Sequence, residues 1–191
     1  MGGVIGVLAL QGGYAAHEKA LADLGLAHRE VRSPEDLEGL GGLILPGGES
    51  TTHLKLIDRF ELWAPLDAFA RSGKPVFCTC AGLILAARTV THPAQHSFGW
   101  LDVAVARNAW GRQVHSFEAV ADQPLPGDAT KSPIPLMFIR APRIEQVGQA
   151  EVLLTIGGEP ILVRQGAVWG ASFHPELTAD RRLHRAIFGG G

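Results

Sequence analysis

Cysteine is nearly absent from this 191-residue chain, which has only Cys78 and Cys80. Two apart on an extended backbone, their side chains share a face but sit too far apart for good disulfide geometry. No disulfide framework is therefore expected, and a reduced, cytoplasmic protein is. Charge of one sign is also missing. Lys and Arg number 17 against 19 Asp and Glu, a formal net charge of -2, which leaves no basic footprint for nucleic acid. No apolar run approaches the roughly 18–20 residues that cross a bilayer, so no membrane span is expected. The chain enters Val4-Ile5-Gly6-Val7-Leu8-Ala9-Leu10 without a basic region or a small-residue cleavage site ahead of it, which reads as a buried strand rather than a signal peptide. None of the 8 histidines pairs at a metal-ligand spacing such as His-Glu-x-x-His, so a zinc site has little support. Repeats, linkers and low-complexity blocks are lacking too.

What is present is a globular composition, 46% hydrophobic and 19% charged, in a length that suits one domain spanning residues 1–191. In the first half, short apolar runs alternate with helical stretches. Val4–Leu10, Ala27–Val31, Gly42–Leu45 and Pro75–Phe77 read as strands. Ala15–Leu24 reads as a helix stopped by Gly25. Thr51–Ala70 reads as helical with a break or new start forced by Pro65, and Ala81–Arg88 as another helix. Such alternation predicts an α/β fold of three layers, α/β/α, with a mostly parallel sheet and helices on both faces. Ligands then bind at the carboxyl ends of the strands, so Gln11-Gly12-Gly13, Pro46–Ser50 and Cys78–Gly82 should converge on one rim. The second half is richer in strand candidates: Leu101–Ala106, Val114–Val120, Leu136–Ile139, Val152–Ile156, Ile161–Val163 and Val168–Phe173. Asp122–Pro135, with four prolines, reads as a surface loop. Thr178–Phe188 reads as a terminal helix with Thr178 as its N-cap.

Three segments carry chemistry. Cys78-Thr79-Cys80-Ala81-Gly82 places a cysteine among small residues at a strand-to-helix turn, which pushes a nucleophile out of the sheet and sets it at a helix N-terminus that favours thiolate. Cys80 is the candidate nucleophile, with the Ala81 N–H facing an oxyanion formed there. Cys78 reads as an ordinary buried thiol. His174-Pro175-Glu176 follows the last strand. Proline keeps His174 out of the helical region, so Glu176 can hold one imidazole nitrogen while the other faces Cys80. The bland alternative is a loop histidine beside a helix cap. His28, His53, His92, His96 and His184 read as surface or loop-proximal, with His17 and His115 undecided. Pro46-Gly47-Gly48-Glu49-Ser50-Thr51-Thr52 ends a strand and opens a helix. It lacks the Gly-Lys-Ser/Thr of a phosphate loop, and Glu49 would repel phosphate. An amino-acid ligand suits it better, the carboxylate meeting an ammonium group and N–H donors meeting an anion. Arg107-Asn108-Ala109-Trp110-Gly111-Arg112-Gln113 and Phe138-Ile139-Arg140-Ala141-Pro142 hold cationic candidates, although a single arginine is more often a solvated ion-pair partner.

Together these residues resemble the class I, triad glutamine amidotransferases. Within that class the chain is similar to the PdxT family, the glutaminase subunits of pyridoxal 5′-phosphate synthase. The likeness runs nearly end to end. It rests on Gly6–Gly12, Leu45–Thr52, Thr79–Ile84, Arg107-Asn108 through Gly111-Arg112-Gln113, Phe138–Pro142 and Ser172–Thr178. The resemblance implies Cys80 as nucleophile, His174 as base and Glu176 as its orienter. It implies a glutamine pocket of Gly48, Glu49, Ser50, Arg107, Ile139 and Arg140, and an oxyanion hole from the backbone N–H groups of Gly48 and Ala81. It further implies L-glutamine hydrolysis through a γ-glutamyl thioester, with ammonia passed to a synthase subunit (PdxS-type) in a large hetero-oligomer. That partner makes pyridoxal 5′-phosphate from ribose 5-phosphate or ribulose 5-phosphate and glyceraldehyde 3-phosphate. No metal or organic cofactor in this chain is implied, and no nucleic-acid or membrane partner. A glutaminase weak alone and activated by docking is also implied, with the first helix, Gln11 and the Gly-Gly loop as docking candidates. The family usually has glycine where Cys78 stands, which puts an extra Cβ beside the turn. Three rivals stay open on the residues: an amidotransferase for another synthase, a related cysteine hydrolase or stress protein, and a binding module with a dead triad.

Overall fold

The computed structural model describes residues 3–107, 116–125, 128 and 130–190. The chain begins with β1 (Val4–Leu8), α1 (Tyr14–Asp23), β2 (His28–Val31) and β3 (Leu40–Leu45). It continues through α2 (Ser50–Arg59), α3 (Trp63–Arg71), β4 (Val76–Thr79), α4 (Ala81–Ala86), β5 (Ala87–Thr91) and β6 (Leu101–Ala106). The rest is β7 (Ser116–Ala121), β8 (Ile134–Ile139), β9 (Arg143–Val147), β10 (Glu151–Ile156), β11 (Glu159–Gln165), β12 (Val168–Ala171) and α5 (Arg182–Phe188). Single 3-10 turns lie at Pro34–Leu37 and Pro175–Leu177.

Seven strands form the main sheet in the order β10-β11-β12-β4-β3-β1-β2. Every pairing from β12 through β2 is parallel, while β10 and β11 join antiparallel at one edge. The expected mostly parallel α/β sheet is thus observed. Alternation along the strands divides the core between its two faces. Leu43, Leu45, Val76 and Cys78 point into a cluster with Ile57, Leu66 and Leu83, from α2, α3 and α4. Val7, Ile44, Phe77 and Ala171 point into a second cluster with Leu21 of α1 and Leu183, Ile187 and Phe188 of α5. Central strands with apolar residues on both sides are the continuous runs that the sequence displays.

Local chemistry fixes the ends that matter. Leu26 N–H donates to Leu21 O and Gly25 N–H to Ala22 O, with Gly25 at φ +68, so α1 ends in the glycine-dependent motif its sequence predicts. Two smaller sheets cover the flanks: β5-β6-β9, and the antiparallel pair β7-β8. Phe138 on β8 packs against Phe173 with ring centroids 6.0 Å apart, and His174 N–H donates to Met137 O at 2.8 Å. These contacts pin the β7-β8 hairpin over the end of β12.

Several expectations shift. The break in Thr51–Ala70 falls at residues 60–62, and Pro65 sits in the first turn of α3, where its missing N–H costs nothing. Strand β1 stops at Leu8 rather than Leu10. Ala87–Thr91, half read as helix, forms β5, and β9 was not anticipated. The terminal helix starts at Arg182, not Thr178. Thr178 Oγ1 accepts from Asp180 N–H and Asp180 Oδ1 accepts from Arg182 N–H, so two successive side-chain turns precede the helix. Asp122–Pro135 is not all surface loop, since Leu125 is buried and Ile134 and Pro135 belong to β8. The first residues of Val114–Val120 lie outside the described part of the chain.

Candidate active site

Register sets the site. Leu45 on β3 lies opposite Cys78 on β4, and Thr79 lies opposite Ala171 on β12. The three chains therefore leave the sheet at the same edge, as Pro46-Gly47-Gly48, Cys80 and Ser172-Phe173-His174. Cys80 carries φ +49 and ψ -103, a strained conformation for a residue with a Cβ. Neighbours hold it there: Cys80 N–H donates to Ala171 O at 2.9 Å, and Ile84 N–H donates to Cys80 O at 3.2 Å. A Cβ at Gly82 would collide with the Leu45 carbonyl, so only glycine lets α4 start this close to β3. Ala81 opens α4, where N–H groups have no acceptor within the helix and remain free for an anion.

His174 follows β12 and approaches Cys80 from the neighbouring strand. Its Nδ1 lies 2.7 Å from Glu176 Oε1, and both side chains are buried. Burial works against a charge on His174, but hydrogen bonds to Cys80 and Glu176 outweigh it and push its pKa up to about 10. Burial likewise works against a charge on Glu176. His17 and the hydrogen bond from His174 prevail, and hold the carboxyl below its usual range. The environment thus favours a charged imidazole between a thiol and a carboxylate, the arrangement a cysteine nucleophile needs.

The glycine loop packs directly on this pair. A Cβ at Gly47 would lie 2.5 Å from His174 Cε1. Gly48 has φ +147, and Gly13 N–H donates to Gly47 O at 3.1 Å. Gln11 braces the loop from outside: its Nε2 donates to Glu49 O at 3.0 Å, and its Oε1 accepts from Glu49 N–H at 3.5 Å. Ser50, buried at the start of α2, donates to Gln95 Oε1 at 2.9 Å. Arg140 reaches across from the end of β8 with φ +42, its Nη1 3.6 Å from Glu49 Oε1, and both side chains are largely exposed.

A cavity of about 210 Å³ opens between these groups. Gly48, Glu49, Ser50, Cys80, Arg107, Ile139, Arg140, His174 and Glu176 line it, and Ala81 lies behind Cys80. Every described residue expected in the triad, the glutamine pocket or beside the nucleophile is therefore at this one place. Asn108, Gly111, Arg112, Gln113 and His115 lie outside the described residues. Gly13, Gly47, Ile84 and Leu177 also line the cavity without having been named as site residues, although Gly13 and Gly47 belong to segments expected on this rim. Gly13 was within reach of sequence reasoning, since Gln11-Gly12-Gly13 follows a strand on the same rim. Leu177 gives no such signal beyond its place after Glu176. Among the described residues, no group of three or more His, Cys, Asp and Glu could hold a metal ion.

Two readings need correction. His53 and His184 are not surface residues: both are fully buried on the inner faces of α2 and α5, as is His17 on α1. Burial holds His53 near a pKa of about 4, with the Gly47 backbone opposing, and His184 near about 3. Cys78 also does not crowd the turn. It lies inside β4 with ordinary strand geometry, while Cys80 carries the positive φ, and burial raises the Cys78 thiol. Glycine's special freedom is therefore not needed at position 78.

Comparison with known proteins shows which family the chain is similar to. Residues 7–188 match the model of the SNO glutamine amidotransferase family. The chain is 49% identical to pyridoxal 5′-phosphate synthase subunit PdxT of Pelotomaculum thermopropionicum, over 95% of this chain and 91% of that one. It is 49% identical to the PdxT subunit of Deinococcus radiodurans, over 97% and 95%. A solved structure described as a glutamine amidotransferase superposes with a TM-score of 0.89 at 46% identity, covering 97% of both chains.

Proposed function

Since the chain belongs to the SNO glutamine amidotransferase family, we propose that it hydrolyses L-glutamine to L-glutamate and ammonia as the glutaminase subunit of a pyridoxal 5′-phosphate synthase. In this reading residues 1–191 form one glutaminase domain that works in the cytoplasm. The observation that carries it is the strained Cys80 beside His174, itself held by Glu176 at 2.7 Å, at the floor of a small cavity.

The chemistry follows from the groups present. L-Glutamine enters with its side-chain amide over Cys80. Arg140 and Arg107 receive its α-carboxylate and Glu49 its ammonium group, so the substrate replaces the loose Glu49–Arg140 contact with two charge-matched ones. Ser50 and the backbone at Gly48 and Ile139 shape the remaining wall. The Cys80 thiolate attacks the amide carbon, and the carbonyl electron pair moves onto oxygen, where the Gly48 and Ala81 N–H groups stabilise it. The intermediate collapses as His174 gives its proton to the leaving nitrogen, releasing ammonia and a γ-glutamyl thioester. Neutral His174 then takes a proton from water. The hydroxide adds to the thioester, and collapse expels Cys80 as thiolate and frees glutamate. Glu176 stays ionised throughout and keeps Nδ1 protonated.

Ammonia released into bulk water would be protonated and lost as a nucleophile, so the reading requires a closely docked acceptor. The relatives are named as subunits of pyridoxal 5′-phosphate synthase, which supports a second subunit of that synthase as the acceptor, and in this reading the two work in a hetero-oligomer. No helix among the described residues is long and apolar enough to cross a membrane. The test is ammonia release from L-glutamine, with and without that partner. Cys80→Ala should abolish release while Cys78→Ala retains it. Full activity in Cys80→Ala would end the proposal, and activation only by an unrelated synthase would reassign the partner.

A further inference from the structure

Behind the cysteine, histidine and glutamate lies a line of buried polar side chains that the reaction above does not use. Glu176 Oε1 is engaged by His174, but Glu176 Oε2 is buried and accepts no hydrogen bond among the described residues. It faces His17 Nε2 at 3.5 Å, an electrostatic contact longer than a good hydrogen bond. His17 Nε2 also lies 3.1 Å from Thr79 Oγ1, on the residue before the nucleophile. On its other side, His17 Nδ1 lies 3.0 Å from His184 Nε2, and His184 Nδ1 has no partner among the described residues. His17, Thr79 and His184 are fully buried.

Two neutral proton arrangements are open to this line, and they differ in cost. In one, His17 carries its proton on Nε2, facing Glu176 and Thr79, and accepts His184 Nε2–H at Nδ1. What is left over is a lone pair at His184 Nδ1 and the proton of the Thr79 hydroxyl, which can rotate about its C–O bond. In the other, every proton is reversed. Thr79 donates to His17 Nε2, His17 Nδ1–H donates to His184, and His184 Nδ1–H is buried without an acceptor. A lone pair of His17 then faces the negative Glu176 oxygen. Each arrangement leaves one donor over, but the Thr79 hydroxyl can turn to suit whereas the His184 ring N–H is fixed, and in the second arrangement an acceptor set against a carboxylate adds repulsion. The first arrangement is the stable one. A doubly protonated His17 is opposed by burial and by the positive charges of His174 and Arg181, with only Glu176 in favour, and its pKa is lowered.

We propose that His17 is a positioning residue of the glutaminase centre: its Nε2–H, bonded to Thr79 Oγ1, presents its positive end to the second oxygen of Glu176 and keeps that side chain charged toward His174, while His184 fixes the tautomer that permits this. The consequence for turnover rests on the glutaminase reading, but the consequence for the thiol does not. Removing the donor leaves Glu176 Oε2 with no favourable contact in a buried site, so its charge weakens. The imidazolium that stabilises the Cys80 thiolate weakens with it.

The test is alkylation of Cys80 by iodoacetamide as a function of pH, on the full chain. Buried Cys78 offers no competing thiol. His17→Leu is expected to slow alkylation at neutral pH roughly tenfold and to raise its pH midpoint by about one unit, the shift that a tenfold change in thiolate fraction requires. His17→Gln, whose amide can place an N–H near the same point, should recover most of the rate. With the synthase partner present, kcat for glutamine should fall about tenfold in His17→Leu with KM within twofold. An unchanged midpoint in His17→Leu overturns the proposal. So does a His17→Gln no better than His17→Leu when both melt like the unaltered chain. Should His17→Leu fail to fold, nitrogen-15 NMR of the unaltered protein decides: protonated Nε2 on His17 supports the proposal, and protonated Nδ1 with bare Nε2 refutes it. If the chain did not act on glutamine, turnover would be absent in the unaltered chain as well. The alkylation profile and the tautomer would still report on His17.

Discussion

Replacing Gly47 with alanine puts one methyl group where the glycine loop meets the base. An ideal Cβ there lies 2.5 Å from His174 Cε1, 3.2 Å from His174 Nδ1 and 3.4 Å from Cys80 Cβ. Carbon atoms settle at about 3.5–4.0 Å, so the first contact must open by about 1 Å. The imidazole cannot yield freely, because Glu176 holds Nδ1 at 2.7 Å and the ring is buried. Overpacking of this kind costs about 1–3 kcal/mol of stability. A displacement of about 1 Å between base and nucleophile costs on the order of 100-fold in kcat, with a smaller effect on KM. Gly25→Ala is the matched control: it forces alanine into φ +68 with nothing within 4 Å, far from the cavity. It should cost about 1–2 kcal/mol of backbone strain and leave kcat unaltered. Steady-state glutamine hydrolysis in the presence of the synthase, with thermal melts of both variants, reads the two effects apart. A Gly47→Ala protein with kcat within threefold of the unaltered chain would refute the tight packing of loop on base.

Acid should destabilise the fold before carboxylates titrate. His53 and His184 stay neutral in the folded chain to about 4 and about 3, whereas an unfolded histidine takes a proton near 6.5. Their contribution is complete above pH 6.5 and is lost as pH falls toward 4, at about 1.4 kcal/mol per pH unit per residue. Urea titrations should show that slope, and His53→Leu should reduce it by one residue's share. An unaltered slope would count against the buried, neutral His53. His174 works in the opposite sense: raised to about 10 when folded, its contribution is complete below pH 6.5 and is lost as pH climbs through 10. Arg140→Ala should raise KM for glutamine at least tenfold yet shift the melting temperature by no more than about 2 °C, because an exposed ion pair contributes only about 0–1 kcal/mol. An unchanged KM would remove Arg140 from substrate binding.

Much of this was legible in the residues. Strands with apolar side chains on both faces, such as Leu43-Ile44-Leu45 and Val76-Phe77-Cys78, show as continuous runs. Glycines at Gly25 and Gly47-Gly48 mark the helix end and the loop. The Cys80 corner and His174-Pro175-Glu176 could be joined because strand ends in a parallel sheet share an edge. Hidden parts had physical reasons. Ala87-Arg88-Thr89-Val90-Thr91 continues a helical run without a breaker, so the switch to β5 depends on pairing with β6 rather than on local propensity. Strand β9, Arg143–Val147, is largely polar and gains its place from β6. The buried histidines resemble surface residues by type alone, yet their spacing betrays them. His17 shares a face with Ala20 and Leu21, and His53 with Ser50 and Ile57, three or four residues apart on a helix. His184 sits beside Leu183 and one turn before Ile187 and Phe188. Nothing in the order of residues announces that Glu176 meets His17, because that contact exists only after α1 packs against the turn at Pro175–Leu177.

In the proposed reaction Cys80 carries the glutamyl group. Rapid acid quench of the chain turning over L-glutamine with its synthase partner, followed by peptide mass spectrometry, tests it directly. One glutamyl group is expected on the peptide spanning Thr79 to Gly82, bound through Cys80 and discharged by hydroxylamine. A glutamyl group on Cys78 instead, or steady glutamate production with Cys80 replaced by alanine, would contradict it.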